Sequence, residues 1–334
     1  MEDLKTLLVP FMVIFAVSGA FLIISALRNR VLFKMAARNV PRRPANTLLT
    51  VLGLMLAAMI FSASFATGDT LTHSIRKLAV DSLGETDIIV MREGVEFGGA
   101  AGGMLESTDR PSYFDEAKFN SVNESLAELR NENIVEGVAP IIMESVPAVA
   151  PSGLNEPVVT LLGFDSRYMA GFEPLTDENG NALSLDALEA LGEGYVYINT
   201  DLAEALEAGI DGTIGIFLGT EETSLTIAGI YESGGKPSAF RLDASATAVM
   251  PLEEIQALRG SSEINYIIIT NRGGEIEGAR HSEAVMEVLE PYLEGTGLKA
   301  ESIKKETLDE ADEGGAMFST VFLVLCSFSI IAGI

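Results

Sequence analysis

Few side chains in this sequence are of a type and spacing that could do covalent or metal chemistry. His73 and His281 are far apart, each on a stretch with helical spacing and ordinary charged neighbours. They read as solvated or partly packed imidazoles, not as a ligand pair. Cys326 is the single cysteine and falls in an apolar run, so no disulfide, CxxC pair or zinc cluster can form within the chain. The run ESGGKPS around Ser233 has the glycines and lysine of a phosphate loop. However, no glycine stands at the required distance before Gly235 and Lys236, and Pro237 replaces the needed Ser or Thr, so it reads as a turn. DENGNA, from Asp177, starts like a calcium loop, yet Ala182 takes the glycine position and no Glu follows at the twelfth. Asn123, Glu124 and Ser125 form a glycosylation sequon on a predicted helix. No nucleophile, base and orienting residue can be grouped, so the sequence argues for a non-catalytic chain with no cofactor and no metal.

The chemistry that is concentrated is charge. Residues 28–47, RNRVLFKMAARNVPRRPANT, hold Arg28, Arg30, Lys34, Arg38, Arg42 and Arg43 and no acidic residue. Directly after them, residues 48–68 are uncharged, long enough as a helix to cross a hydrocarbon core of about 30 Å. Short basic loops stay in the cytoplasm, which predicts a multi-pass cell-membrane protein whose residues from about 69 to 316 are extracytoplasmic. Residues 7–27 are a second uncharged run and read as an extra first span. A signal peptide cut near Ser18, Gly19 and Ala20 is the weaker reading: its start is not clearly basic, and cleavage would leave the basic segment outside.

Between the runs, residues 31–39 have the spacing of one or two helical turns, with Leu32, Met35 and Ala36 on one side and Lys34 and Arg38 one turn apart on another. Pro41 and Pro44 end it, and Asn46 or Thr47 can cap the run that follows. Such a segment fits a juxtamembrane patch on anionic lipid or a docking helix for a cytoplasmic partner. Gly53 and Ala57 make a small-xxx-small pair, which predicts helix packing on that face. Residues 69–83 keep helical spacing and extend the run as a stalk.

A chain of 334 residues has room for about two domains, and its mean hydropathy of +0.29 is an unusual companion to a pI near 4.3. The two properties occupy different segments. Residues 69–334 carry 15 of the 22 Lys and Arg against 46 of the 48 Asp and Glu, a net of −31, which repels nucleic acid and anionic lipid.

The outer region alternates strands and helices. Residues 86–91 predict a strand, 94–104 a glycine-rich loop, 113–131 a helix with Phe114, Phe119, Val122, Leu126 and Leu129 as its stripe, and 134–149 strand material. Short strands follow at 156–164, 194–199, 213–218, 224–231 and 246–250, with a helix at 201–208 capped by Asn199 or Thr200. Then come a strand at 264–270, a helix at 277–290 stopped by Pro291, and a strand at 298–304. The expected fold is α+β: transmembrane helices flanking an extracytoplasmic domain with two βαβ-like units, split in a ferredoxin-like layer around a small β-rich insert. Residues 317–334 are uncharged for 18 residues, short of a span, which predicts the front part of a longer protein.

Residues 37–53, ARNVPRRPANTLLTVLG, resemble the segment leading into the first permease span of the FtsX/MacB-like ABC transporter permease family, in which an A-R-N element, further arginines and L-T-x-L-G lead from a short cytoplasmic helix into the membrane. The order span, stalk, large outer domain and next span is similar as well, and residues 194–219 look like that family's strand, short helix and glycine-bearing turn. The resemblance covers about residues 31–334. The chain departs from it in the extra span at 7–27 and in Asn46 and Thr47, where an Arg-Thr pair is common.

The resemblance implies five parts: an extra helix at 1–27, a basic segment with a coupling helix at 28–47, a span and stalk at 48–83, a MacB-like core domain at 84–312 with its insert at 155–250, and the start of the next span at 313–334. It implies a permease subunit that couples ATP hydrolysis by a separate cytoplasmic ABC ATPase to movement of the outer domain, in export, lipoprotein release or mechanotransmission. The ATPase would dock at Leu32, Lys34, Met35, Arg38, Asn39, Arg42 and Arg43, and a second permease half, in a homo- or heterodimer, would pack in the bilayer through Gly53 and Ala57. The alternative is a membrane receptor whose outer domain binds a ligand.

Overall fold

A computed structural model describes residues 44–95, 112–219, 221–233 and 246–332, together with Ile24, Arg28, Val31, Lys34, Met35 and Arg38. Apart from Ile24, the first expected span lies outside the described residues, as does most of the glycine-rich piece after Gly94. The chain divides into two compact units, residues 1–74 with 310–334, and residues 75–309.

Helix α1 (Pro44–Leu83) is continuous for 40 residues, so the expected run and stalk form one element. It starts two residues before the expected cap, at a proline whose missing N–H has no intrahelical partner at that position in any case. Then follow β1 (Ile88–Arg92), β2 (Phe114–Asp115), α2 (Ala117–Ser125), α3 (Ala127–Asn131), the 15-residue β3 (Val135–Val149) and β4 (Asn155–Phe164). A 3-10 turn at Ser166–Gly171 precedes β5 (Leu175–Thr176), β6 (Ala182–Leu183), α4 (Leu185–Leu191), β7 (Tyr195–Asn199), α5 (Thr200–Leu206), β8 (Thr213–Leu218) and β9 (Glu221–Tyr231). The chain continues through β10 (Thr247–Pro251), α6 (Leu252–Arg259), β11 (Glu263–Ile264), β12 (Tyr266–Asn271), α7 (Gly274–Glu277), a 3-10 turn at Gly278–His281, α8 (Ser282–Leu293), β13 (Leu298–Glu301) and α9 (Ile303–Ala332).

In the larger unit, β13, β1, β12 and β3 lie side by side, every neighbour antiparallel. In chain order these are the fourth, first, third and second strands, with α2 and α3 crossing from β1 to β3 and α8 crossing from β12 to β13. This is the split, ferredoxin-like layer expected from the pattern. Strand β3 runs on past that layer. One edge pairs with β4, and the other pairs first with β12 and then, at Ala148 and Val149, with Ile216 and Gly215 of β8. The path β3-β4-β10-β7-β9-β8 therefore returns to β3 and closes a six-stranded barrel. The register shifts between Val146 and Ala148, around Pro147, where a bulge bends the strand and a missing N–H does no harm. Val146, Val159, Leu161, Val196, Ile198, Ile214, Ile216, Leu225 and Ile227 are buried in one apolar cluster with Phe119, Val122, Val285 and Leu289 of the helices. Closure leaves the barrel without a free edge.

Several elements differ from the sequence expectation. The helix expected at 113–131 is two: Phe114 and Asp115 pair with β11, and the helix breaks at Leu126, just after Ser125 Oγ donates to Val122 O at 2.7 Å. Pro291 lies inside α8 rather than ending it, because so near the C-terminus it forfeits a single bond while Leu293 gains burial. The last strand ends at Glu301, and Lys304 belongs to the first turn of α9. Asn199 caps α5 as expected, accepting from Leu202 N at 3.0 Å. Among the described residues, no helix is long and apolar enough to cross a membrane.

In the smaller unit α1 and α9 approach closely, since a methyl on Gly315 would fall on the Thr72 hydroxyl, which itself donates to Gly68 O at 3.0 Å. In the larger unit Gly171 rests on the backbone of β3, where a Cβ would sit 2.6 Å from the Glu136 carbonyl oxygen and 2.6 Å from Gly137 Cα. Backbone cannot yield as a side-chain tip can. Gly171→Ala is expected to cost about 1–3 kcal/mol, read as a lower denaturation midpoint with unchanged slope, whereas Gly209→Ala, at an exposed loop glycine outside the left-handed region and with open space around it, removes less.

Candidate functional site

The larger unit is entered at the end of α1 and left at the start of α9, and these two points meet. Helix α1 stops at buried Leu83, followed by Gly84 at φ 54°, a left-handed turn that glycine adopts without strain. Three residues later Asp87, at the mouth of β1, is fully buried. Its N–H donates to Ile269 O at 2.9 Å, and its Oδ2 accepts from the Asn271 N–H at 2.7 Å. Lys304, also fully buried, brings Nζ to 2.9 Å from Asp87 Oδ1, and its own N–H donates to Asp87 O at 3.3 Å. The contact is held by charge more than by a well-directed hydrogen bond.

A second ring of polar groups fixes Asp87 from behind. Asn271 Nδ2 donates to Gly278 O at 3.2 Å and lies 3.4 Å from Ser282 Oγ at the start of α8. Gly278 abuts the carboxylate, since a Cβ there would sit 2.5 Å from Asp87 Oδ2. Thus β1, β12, the Gly278–His281 turn, α8 and the first turn of α9 all converge on one carboxylate. Burial pushes the Asp87 carboxyl up, while the Lys304 ammonium and the Asn271 N–H pull it back. A lysine in the first helical turn faces the positive end of the helix dipole, so Lys304 depends on Asp87 for compensation.

A second tie joins the barrel to the layer. The Arg259 guanidinium, ending α6, lies 3.3 Å from the centroid of the Tyr113 ring, and its Nε is 3.0 Å from Glu144 Oε1 on β3. The Tyr113 hydroxyl donates to the same carboxylate, and burial together with that charge pushes the phenol well up. Asn265, between β11 and β12, has Oδ1 accepting from Met143 N at 3.0 Å and Nδ2 donating to Met143 O at 2.8 Å, replacing ladder bonds where the strand is interrupted.

Of the residues singled out in the sequence, Lys34, Met35 and Arg38 are helical and exposed, whereas Leu32, Asn39, Arg42 and Arg43 lie outside the described residues. Gly53 is exposed on α1 with nothing within 4 Å of where a Cβ would stand, and Ala57 lies one turn on, its side chain outside the described set. Asp177 Oδ2 accepts from Asn181 Nδ2 at 2.9 Å, and its Oδ1 from Asn181 N at 2.8 Å and Asn179 N at 2.9 Å, so the calcium-like segment is a β5–β6 turn, and these bonds, the Asn181 side chain's first, hold that carboxyl down. The Asn123 side chain accepts from Arg130 on the helix surface. Ser233 lies against α5, within 2.8 Å of Thr200 Oγ1, while the rest of the glycine-lysine run lies outside the described residues. No group of three or more His, Cys, Asp or Glu among the described residues could hold a metal ion. Sequence reasoning missed the Asp87–Lys304 pair. Its trace is an Asp at the head of an apolar strand and a Lys on the same helical face as Ile303, Thr307 and Ala311.

A ferredoxin-like layer interrupted by a barrel, with one long helix leading in and another leading out, defines a folded domain carried between helices. The MacB-like periplasmic core domain model matches residues 47–282, and the chain belongs to that family. This agrees with the FtsX/MacB-like resemblance and makes the chain part of a membrane protein with an extracytoplasmic domain, of the ABC transporter permease type. Among solved structures, similarity extends to the extracellular domain of the noncanonic ABC-type transporter YknZ from Gram-positive bacteria, at 15% identity and TM-score 0.41 over 64% of this chain and 95% of that one. The periplasmic region of MacB from Actinobacillus actinomycetemcomitans follows at 13% identity and TM-score 0.43, over 69% and 94%. A domain of a putative permease protein from Porphyromonas gingivalis is similar at 12% identity and TM-score 0.32, over 65% and 87%. No curated protein matches.

Breaking one side of a buried ion pair strands the other charge. Asp87→Asn and Lys304→Met are each expected to destabilise the folded chain by about 3–5 kcal/mol, while the double variant Asp87→Asn with Lys304→Met, which keeps an amide oxygen for the Asn271 N–H and leaves no buried charge, recovers much of that loss. Denaturant midpoints of the purified protein measure all three.

Proposed function

We propose that this chain is the permease subunit of an ABC transporter complex, non-catalytic itself, that couples ATP hydrolysis in a partner chain to movement of its extracytoplasmic domain. The observation that carries the reading is the buried Asp87–Lys304 pair, which bolts the first turn of α9 to the sheet that α1 leads into. A subunit that passes force into an outer domain needs its helix fixed to that domain, and a fully buried charge pair resists sliding in a way apolar contacts do not.

Family membership supports the partner as an ABC ATPase. Its docking site is the basic segment, with Lys34, Met35 and Arg38 exposed on a helix and Leu32, Asn39, Arg42 and Arg43 beside them in sequence. The spans are assigned to residues 7–27, 48–68 and the run from 317, within the five-part division given above. Exposed Leu48, Leu49, Leu52, Met55, Leu56, Met59 and Ile60 support a lipid or helix partner around α1, since so many large apolar side chains on more than one helical face would otherwise meet water. A second permease half, in a homo- or heterodimer, would approach along the open face at Gly53 and Ala57. The domain's movement would serve export, lipoprotein release or control of a target outside the membrane.

Co-purification of the full-length protein in detergent against the ATPases of its own organism tests this. The intact protein is expected to capture one ABC ATPase, and Arg38→Ala with Arg42→Ala and Arg43→Ala to lose it. Failure of the intact protein to capture any ATPase sinks the reading.

A further inference from the structure

Two clefts flank the Ser166–Gly171 turn in the larger unit. The first, about 320 Å3, is apolar: Phe164 and Phe172 form its floor, and Met169, Leu175, Leu183 and Leu185 its half-buried walls. Exposed Glu173 and Asp186 stand at its rim. The second, about 400 Å3, is lined by Asp165, Glu189, Glu193, Glu253 and Glu254 against the single cation Arg167. Arg167 is itself engaged, 2.5 Å from Asp165 Oδ2 and 3.2 Å from Glu253 Oε1. The wall between the clefts is a hydrogen-bonded unit, with Ser166 N and Oγ donating to the Glu189 carboxylate at 3.0 and 2.8 Å. It is rigid as well, because Gly171 at the end of the turn rests on the backbone of β3.

We propose that this pair of clefts docks an exported polypeptide segment of a partner, which places a large apolar side chain in the first cleft and a Lys or Arg in the second. The apolar cleft is at the small end for a ligand site and suits one or two side chains, not a whole small molecule. The neighbouring carboxylates select what flanks that side chain, since five acids beside one paired arginine favour a cation. The surrounding surface, within a segment of net charge −31, steers the same kind of partner. An acidic or purely polar segment would find either repulsion or an unfilled apolar cavity. This inference does not rest on the ATPase coupling proposed above.

The test uses the full chain in zwitterionic nanodiscs, with empty discs as the blank, and three fluorescent ten-residue probes: alternating Lys and Leu, alternating Glu and Leu, and alternating Lys and Ser. The Lys-Leu probe is expected to bind, more weakly as salt rises, and the other two at least tenfold more weakly. Leu185→Gln is expected to weaken Lys-Leu binding about tenfold, and Glu193→Gln with Glu253→Gln, both at exposed positions and safe for the fold, about fivefold with a shallower salt dependence. Absence of binding, equal binding of the Glu-Leu probe, or wild-type affinity in the Glu193/Glu253 variant would each overturn the proposal. The chain leaves β9 through Glu232, whose N–H donates to Thr176 O at 2.9 Å, next to Leu175 in sequence, and residues 234–245 beyond it carry Lys236, Phe240, Arg241 and Leu242 in the sequence. Probe binding that appears only after this segment is replaced by a Gly-Ser linker would assign the clefts to the chain itself and overturn the partner.

Discussion

A carboxylate and an ammonium with no access to water stand 2.9 Å apart at the point where the larger unit is entered and left. Removing both from solvent is expensive, and the cost is offset by their mutual attraction and by the groups that hold the carboxylate in place: the Asn271 N–H donates to Asp87, and the Asn271 side chain is in turn held against Gly278 and Ser282. That requirement propagates outward. Gly278 must lack a side chain to let the carboxylate in, β12 must end at Asn271 to offer its N–H, and α9 must start at Ile303 to aim Lys304 inward. Two residues more than two hundred apart in sequence thereby fix how the chain leaves the sheet.

The barrel obeys a different constraint. Its strands have to curve until β8 meets β3, and the curvature is concentrated at the bulge around Pro147. Once closed, it shares one apolar cluster with the ferredoxin-like layer. Arg259, Tyr113 and Glu144 then tie the two at the point where α6 returns the chain to the layer. Neither the shared core nor the buried charges of a domain built this way offer a plane along which its parts can slip.

Much of this was legible in the sequence because it rests on local signals. The short apolar runs in 86–91 and 264–270 and the capping Asn199 each depend on neighbours a few residues away, and those elements formed close to their expected places, while the apolar stripe of 113–131 marked helix but not its break at Leu126 or the strand at Phe114. The interleaved strand order followed from two βαβ-like units around an insert. What escaped was non-local. Barrel closure depends on Ala148 finding Ile216, and the partner of Asp87 lies in a segment, KKETLDEADE, whose acidity masks the one lysine that turns inward. Lys304 read as a strand end because Leu298 to Glu301 alternate, and nothing local marks where burial of a charge replaces that pattern. The expected docking residues are a different case: Lys34, Met35 and Arg38 could be placed on a helix, but their role depends on a partner chain.

The central claim is that the Asp87–Lys304 pair welds the base of α9 to the sheet. Native-state hydrogen exchange of the full-length protein measures this directly at the amides of Lys304, Glu306, Thr307 and Leu308. The account predicts that these amides exchange only through the global opening of the larger unit, with the same opening free energy as Ile268 in β12, and that Asp87→Asn releases them into faster local opening while Ile268 is accelerated only by the loss of global stability and stays the better protected. Fast local exchange at 304–308 in the intact protein, unchanged by Asp87→Asn, would contradict it.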